Sequence, residues 1–396
     1  MTKTLGIGLI GTGFMGKAHA IAYRMALSAF PDIPTPRLVA VADMNADAAA
    51  KAAHQYGFES STGDWKALIA NPAIQVVSIT TPNSMHKEMA LAAIAAGKHV
   101  HCEKPLSPTL TDSLEMLKAA EAKGVNTQVG FNYIKNPLLK LARQMVEAGE
   151  LGEITGFRGI HAEDYMHDPA SPWTWRIDPS GGPGVIADLG SHIIGMARFL
   201  LGDITEVSAD VRTVIKQRPV ARGASEIKPV LVDDVARILV NFGRGCGGTL
   251  EANWIQTGRK MQLGFELTGE KGSLVFTQER LNELLYYKAG TDSRHAGFTR
   301  IEAGPQHPPY GGFCVAGGHQ LGFNDLKAIE MAEFLGAIGK GVKSGPDFRE
   351  ACEIQKVVEA AIASSKQRVW QKVPSLFPGE SKLQNRAALY ADPPAF

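Results

Sequence analysis

The chain has 396 residues, 44% of them hydrophobic and 20% charged, with a formal net charge of +1. One hydrophobic core rarely grows beyond about 250 to 300 residues, so two domains are expected, in a chain whose composition is that of a soluble globular protein. The balance of 41 basic against 40 acidic residues gives no electrostatic reason to expect nucleic acid or an anionic membrane as a partner.

The first predicted element is a strand over the apolar run Leu5 to Ile10. Gly11-Thr12-Gly13-Phe14-Met15-Gly16 follows, and Lys17 to Ser28 reads as a helix. Strand, glycine turn and helix in that order fit a dinucleotide site. Gly11 permits the turn, Gly13 lets backbone approach a pyrophosphate, and Gly16 lets the helix pack on its strand. Phe14 and Met15 lie in the same loop and count among the cofactor contacts. The alternative is a purely structural turn.

The second strand, Arg37 to Asp43, ends in an acid. Asp43 suits the two hydroxyls of an adenosine ribose and repels a 2′-phosphate, which favours NAD over NADP. A carboxylate that caps the helix from Ala46 is the competing reading. The rhythm continues with a short helix over Asp64 to Asn71, a strand over Val76 to Thr80 and a helix over Ser84 to Ala96. A strand over His99 to Cys102, a helix over Leu110 to Lys123 and a strand over Thr127 to Phe131 complete it. Such alternation implies a parallel sheet covered on both faces, with ligands beyond the carboxyl ends of its strands. Glu103 and Lys104 occupy that edge, where a fixed lysine can donate to a substrate oxygen. A surface lysine after an edge strand is the alternative.

After Asn132 the pattern changes. Asn136 to Ala148 reads as a helix ended by Gly149 and Gly152. Strands are predicted over Ile154 to Ala162, Ile204 to Val214, Asp234 to Phe242, Gly248 to Trp254, Leu263 to Thr268 and Gly272 to Phe276. Several alternate polar with apolar residues, as a half-covered antiparallel sheet does. Tyr165 to Gly184 is a long loop, a length that is often functional. Val185 to Ile194 reads as one helix on which Asp188 and His192, four apart, share a face. A metal, an ion pair or an acid–base pair all fit that spacing. Metal is disfavoured because a site wants at least three protein ligands and no second acid–His pair is evident. As an active-site pair, His192 would accept a hydroxyl proton, Asp188 would orient it or hold a substrate hydroxyl, and Lys104 would stabilise the alkoxide. The active site would then lie in the interdomain cleft. Ala351 to Lys366 is a further predicted helix.

Cys102, Cys246, Cys314 and Cys352 are scattered and form no CxxC pair, so neither a disulfide framework nor structural zinc is expected. No run of about 18 apolar residues occurs and the amino terminus enters a strand almost at once, so the cytoplasm is the expected location.

The segments GLIGTGFMG (8–16), TTPNSMH (80–86), GKHVHCEKPLS (97–107), VGFNY (129–133), GELGEI (149–154), GVIADLGSH (184–192) and TGEKGS (268–273) together resemble the Gfo/Idh/MocA oxidoreductase family. The resemblance implies an α/β protein with an N-terminal Rossmann nucleotide-binding domain and a C-terminal α/β domain with a large open, mostly antiparallel sheet. The expected limits are 1–131 for the NAD domain, 132–345 for a substrate-binding and oligomerisation domain, and 346–396 for a terminal segment whose helix packs back on the first. The resemblance carries cofactor contacts to Gly11, Gly13, Gly16, Asp43, Thr81, Asn83, His86 and Glu103, and catalysis to Lys104, Asp188 and His192. It implies oxidation or reduction of a hydroxyl or keto group of a sugar or cyclitol. Two departures stand out: Gly195 where many members have an acid after the histidine, and Ile134-Lys135 where many have an arginine.

The segment EDYMHDPASPWTWRID (163–178) offers Asp164, Tyr165, His167, Trp173, Trp175 and Arg176. Aromatic faces and polar groups suit a polyhydroxylated ring, although each tryptophan has core or interface packing as its alternative. Tyr133, Asp164, Tyr165, Trp175 and Arg176 join Lys104, Asp188 and His192 as expected substrate contacts. The expected protein is an NAD-dependent dehydrogenase of an unphosphorylated sugar, anhydrosugar or inositol, acting as a homodimer or homotetramer through the second sheet. The competing readings are an NAD-dependent glycosidase with an oxidation–elimination cycle and a non-catalytic ligand sensor.

Overall fold

The structure, a computed structural model, describes residues 3–377. They divide into two compact units: one formed within 3–135 and Leu321–Cys352, the other within Asn136–Gln320 and 353–377.

The first unit is built on a six-stranded sheet. Its strands are β1 (Thr4–Ile10), β2 (Thr35–Ala42), β3 (Ser60–Thr62), β4 (Val76–Ile79), β5 (His99–Cys102) and β6 (Thr127–Val129), ordered β3-β2-β1-β4-β5-β6. Every pairing is parallel. Six of the seven residues of β1 and all of β4 are buried, the pattern of strands covered on both faces. The helices are α1 (Phe14–Ala29), α2 (Ala46–Tyr56), α3 (Trp65–Ala70), α4 (His86–Ala95) and α5 (Leu110–Lys123). Their ends follow local chemistry. Asn45 caps α2, Asp64 caps α3 and Thr109 caps α5, while Gly57 and Gly124 close α2 and α5 in the left-handed conformation. The order reverses between β1 and β4, which makes their carboxyl ends the expected ligand edge.

The second unit carries α6 (Pro137–Glu147), α7 (Val185–Asp188) and α8 (Gly190–Leu201). Its strands are β7 (Ile154–Ala162), β8 (Ile204–Arg212), β9 (Gln217–Pro219), β10 (Ile227–Pro229), β11 (Val235–Phe242), β12 (Gly247–Asn253), β13 (Gln262–Gly269), β14 (Gly272–Thr277), β15 (Glu283–Lys288), β16 (Thr299–Glu302) and β17 (Gln371–Lys372). Nine of them form a sheet in the order β16-β15-β14-β13-β7-β12-β11-β8-β17, while β9 and β10 pair as a separate hairpin. Only the β7–β12 pairing is parallel among the described strands of the large sheet. Every residue of α8 is buried, and the helix lies against β7 and β12.

The first unit regains chain at α9 (Phe323–Lys340), which packs on α1, and α10 (Phe348–Gln367) follows. The segment that joins the first unit therefore begins at Leu321, upstream of the helix read at 351–366. Among the described residues no single helix is long and apolar enough to cross a membrane.

Candidate functional site

In the first unit the glycine loop has the shape that close approach demands. Gly11 has φ +99°, and a Cβ on Gly16 would come within 2.1 Å of the Gly11 carbonyl oxygen. A Cβ on Gly13 would project into open space, and no side chain caps the start of α1 there. That leaves an uncapped helix N-terminus facing a cradle at the carboxyl end of β1, which fits a dinucleotide phosphate. Phe14 is exposed and stacks on Phe323 at 5.8 Å, and Tyr133 lies 6.1 Å from the same ring. Met15 is half-buried.

Asp43 follows β2 and binds the loop directly. Its Oδ2 accepts from the Thr12 amide at 3.1 Å and the Thr12 hydroxyl at 2.6 Å, while Oδ1 accepts from the Asn45 amide. Asn45, not Asp43, caps α2, so the capping alternative falls to its neighbour. Asp43 remains half-buried beside the glycine loop, as a ribose acid would be.

Thr81 and Asn83 are half-buried between β4 and α4. His86, expected as a cofactor contact, is fully buried. Its ring nitrogens lie 3.1 Å from the Pro105 carbonyl and 2.9 Å from that of Thr81, tying two loops together. Burial lowers its pKa, and the neutral ring donates to one of these two carbonyls at a time.

Glu103 is 5% exposed and engaged with neighbouring side chains. Its Oε1 lies 2.8 Å from His19 Nε2 and 2.9 Å from Lys327 Nζ, and its Oε2 accepts the Lys104 amide at 3.2 Å. Lys327 also pairs with Glu330 at 2.7 Å. Burial alone would raise the Glu103 pKa, but Lys327 and the His19 hydrogen bond outweigh it and hold the carboxyl well below its ordinary value. Burial pushes His19 down to about 4 despite that bond, so His19 is neutral at pH 7. A Cβ on Gly130 would meet the Glu103 carboxyl at 2.4 Å, which gives the glycine of VGFNY its reason. The half-buried Lys104 is thus carried by a backbone locked through its neighbour.

In the second unit, Asp188 and His192 do not lie on one helix. Leu189 separates α7 from α8, and the segments Pro179–Asp188 and Gly190–Leu201 meet at 49°. The bend places Asp188 at the end of the first piece and the nearly buried His192 in the first turn of the second. Tyr165 donates its hydroxyl to Asp188 Oδ2 at 2.8 Å, and Arg176 Nε stands 3.7 Å from the same oxygen. Burial first, and Asp188 next, hold the Tyr165 phenol well above its usual value, so it remains a donor. The Arg176 guanidinium lies over the Trp175 ring at 4.5 Å. The loop residues Tyr165, Trp175 and Arg176 therefore gather with Asp188, as the sequence suggested.

Asp164 sits apart from them. It takes Lys260 Nζ at 2.7 Å and the Gly258 amide at 3.0 Å, and the Lys260 bond chiefly lowers its pKa. His161 and Glu163 were missed by the sequence analysis. The His161 ring is 5.4 Å from that of His192, and its nitrogens meet the Leu189 carbonyl at 3.0 Å and Glu163 at 3.1 Å. Their signal was alternation along β7, which places Phe157, Gly159 and His161 on one face. Asp233 was also missed. It accepts the Gly184 and Ile186 amides at 3.0 and 2.8 Å, and its own carbonyl accepts Val185, so it anchors the start of α7. Among the described residues no group of three or more metal-ligating side chains comes together.

The chain matches known proteins along most of its length. Residues 5–131 match the oxidoreductase family model with an NAD-binding Rossmann fold, and 139–275 match the Gfo/Idh/MocA C-terminal domain. The chain is similar to the levoglucosan dehydrogenase of Pseudarthrobacter phenanthrenivorans, at 37% identity over 94% of this chain and 99% of that one. A levoglucosan dehydrogenase structure in complex with NADH and levoglucosan superposes with a TM-score of 0.91 at 38% identity, covering 94% of this chain and all of the other. An NAD binding oxidoreductase from Klebsiella pneumoniae does so with a TM-score of 0.89 at 43% identity, covering 93% and 99%. With the glycine cradle and both domains accounted for, the chain belongs to the Gfo/Idh/MocA family of NAD-binding oxidoreductases.

Proposed function

We propose that this protein is an NAD-dependent dehydrogenase that oxidises a secondary ring hydroxyl of an unphosphorylated sugar, anhydrosugar or inositol. The observation that supports this most is the gathering of Tyr165, Trp175 and Arg176 around Asp188, in a chain similar end to end to a levoglucosan dehydrogenase. An aromatic face beside a carboxylate suits a ring that is apolar on one face and hydroxyl-rich at its edge.

Oxidation removes one proton and one hydride from the carbinol. Bound NAD supplies the hydride acceptor. His192 takes the hydroxyl proton, the role a neutral imidazole is suited to. His161, fixed by Glu163 and the Leu189 carbonyl, packs against His192 and limits its ring orientation. Lys104 stabilises the developing alkoxide, with its backbone held by Glu103. Asp188 accepts a substrate hydroxyl while Tyr165 and Arg176 keep its carboxylate in place. Thr12 fixes Asp43 for the ribose hydroxyls.

The assay is NADH absorbance with free sugars, anhydrosugars, inositols and their phosphates as substrates. An unphosphorylated ring should give the highest kcat/KM. Preference for a phosphorylated or straight-chain substrate overturns the reading.

The same reading includes a homodimer or homotetramer formed through the open face of the nine-stranded sheet. That face carries a groove of about 780 Å³ lined by Arg158, Arg237, Leu239, Glu251 and Glu266, with Leu239 half exposed. A monomer in light scattering at micromolar concentration refutes it. A cytoplasmic location completes the reading, and recovery of the native protein in a membrane or secreted fraction would remove it.

A further inference from the structure

The segment from Glu163 to Gly184 joins β7 to α7 with only two short 3₁₀ turns of its own. A connection of that length costs conformational entropy to order, so something must hold it. Its beginning is stapled to the sheet, where Glu163 and Met166 donate to the carbonyls of Asn253 and Trp254. The middle is held by the β9–β10 hairpin, which carries none of the site residues read from the sequence.

Arg218 of β9 is fully buried. Its Nη1 donates to the Asp168 carbonyl at 2.7 Å and its Nη2 to the Met166 carbonyl. The next residue, Pro219, accepts the Trp173 amide at 2.8 Å, and Lys228 of β10 lies over the Trp173 ring at 5.1 Å. Arg222 adds only an exposed ion pair with Asp168 at 3.7 Å, which salt screens. A buried guanidinium bound to two carbonyls is a costly way to fill space, and an apolar side chain of similar volume would fill it without desolvating a charge. What the guanidinium alone supplies is a rigid fork that fixes two carbonyls two residues apart.

We propose that Arg218 is a positioning residue for sugar binding. It clamps the backbone at 166–168, so that Tyr165 on one side and Arg176 on the other meet Asp188 before substrate arrives. This inference rests on the reading that the 163–178 segment contacts the sugar. A preordered loop binds its ligand without first being ordered, so its release weakens ground-state affinity more than chemistry.

The test compares Arg218→Met, Arg218→Lys and Tyr165→Phe in the full-length protein with its preferred sugar. Arg218→Met should raise KM about tenfold or more, leave kcat within about threefold, and leave NADH affinity unchanged. Amide exchange at Met166 and Trp173 should quicken in the same variant. Arg218→Lys, which keeps the charge but lacks the planar fork, should fall between the parent and Arg218→Met. A folded Arg218→Met protein with parental KM overturns the inference. So does a rise in KM with no change in amide exchange. If Tyr165→Phe alters KM while Arg218→Met does not, only the role of Arg218 fails. If neither alters KM, the loop's part in sugar recognition fails as well. Should Arg218→Met not fold, Arg218→Lys decides by the same measurements, and parental KM and exchange in it overturn the inference.

Discussion

Replacing Lys327 by Met should make the stability of the protein depend on pH in a way the parent does not. Lys327 is fully buried between Glu103, at 2.9 Å, and Glu330, at 2.7 Å, both also buried. In the parent, Lys327 outweighs burial and holds both carboxyls below their ordinary value. Groups depressed in this way stabilise the fold above an unfolded pKa near 4.5 and lose that contribution as pH falls through the folded value. Without the ammonium, burial wins and both pKa values rise above 4.5. The variant is then penalised at neutral pH and recovers as protons are taken up on acidification. Removing one partner of a buried ion pair costs about 3 to 5 kcal/mol, and each carboxyl that titrates adds a slope of about 1.4 kcal/mol per pH unit. At roughly 2 to 4 °C per kcal/mol for a large domain, the melting temperature should fall by about 6 to 20 °C at pH 8. The deficit should shrink steadily between pH 8 and pH 5. Calorimetric melts of parent and variant across that range measure it, and a second substitution, Glu330→Gln, should restore part of the loss. A deficit that is flat with pH, or smaller than about 1 kcal/mol, refutes the reasoning.

Asp43→Ser should narrow the preference for NAD over NADP, measured as the ratio of kcat/KM values, because a 2′-phosphate no longer faces the carboxylate. A parent protein that uses NADP tenfold better than NAD would defeat the assignment. His192→Ala and Lys104→Ala should each lower kcat by about 10² to 10⁴ while NADH binding, followed by fluorescence, is largely kept. Near-normal turnover in His192→Ala removes it as proton acceptor. Asp233→Ala takes away both side-chain acceptors at the start of α7 and should cost about 1 to 3 kcal/mol in urea unfolding at pH 5, below the Asp233 pKa that burial raises to about 6. An unchanged midpoint means that the amides of Gly184 and Ile186 find other partners.

What was legible in the sequence was whatever one local rule dictates. Gly11, Gly13 and Gly16 fall in a single strand–turn–helix motif, and Asp43 at the end of the strand beside it. Lys104 stood out because it lies in the first turn beyond β5. The second sheet announced itself through alternation along β7, β8 and β11 to β14. By contrast, α9 left no trace. Eleven of its eighteen residues are buried, so it has no clear polar stripe to reveal a helical period. The break at Leu189 was hidden because Val185 to Ile194 reads as helix throughout, and only packing decides where it bends.

The residues that hold the site were illegible for a different reason. Arg218 reaches back 50 and 52 residues to its carbonyls, Asp233 reaches 49 and 47 to the start of α7, and Lys327 reaches 224 to Glu103. No window of sequence contains both members of such a pair, so neither spacing nor periodicity can register it. At His86 and Glu103 motif position points to ligand contact, and the fold adds bonds to neighbouring backbone and buried charge that no motif announces. The two classes should separate in experiment. Groups read from local rules touch ligand, and their loss falls on kcat or on cofactor choice. Groups bonded across the fold hold those ligand contacts in register, and their loss falls on KM, on amide exchange or on the pH dependence of stability. A long-range partner such as Arg218 or Lys327 whose removal abolished kcat, with KM and stability untouched, would break that division.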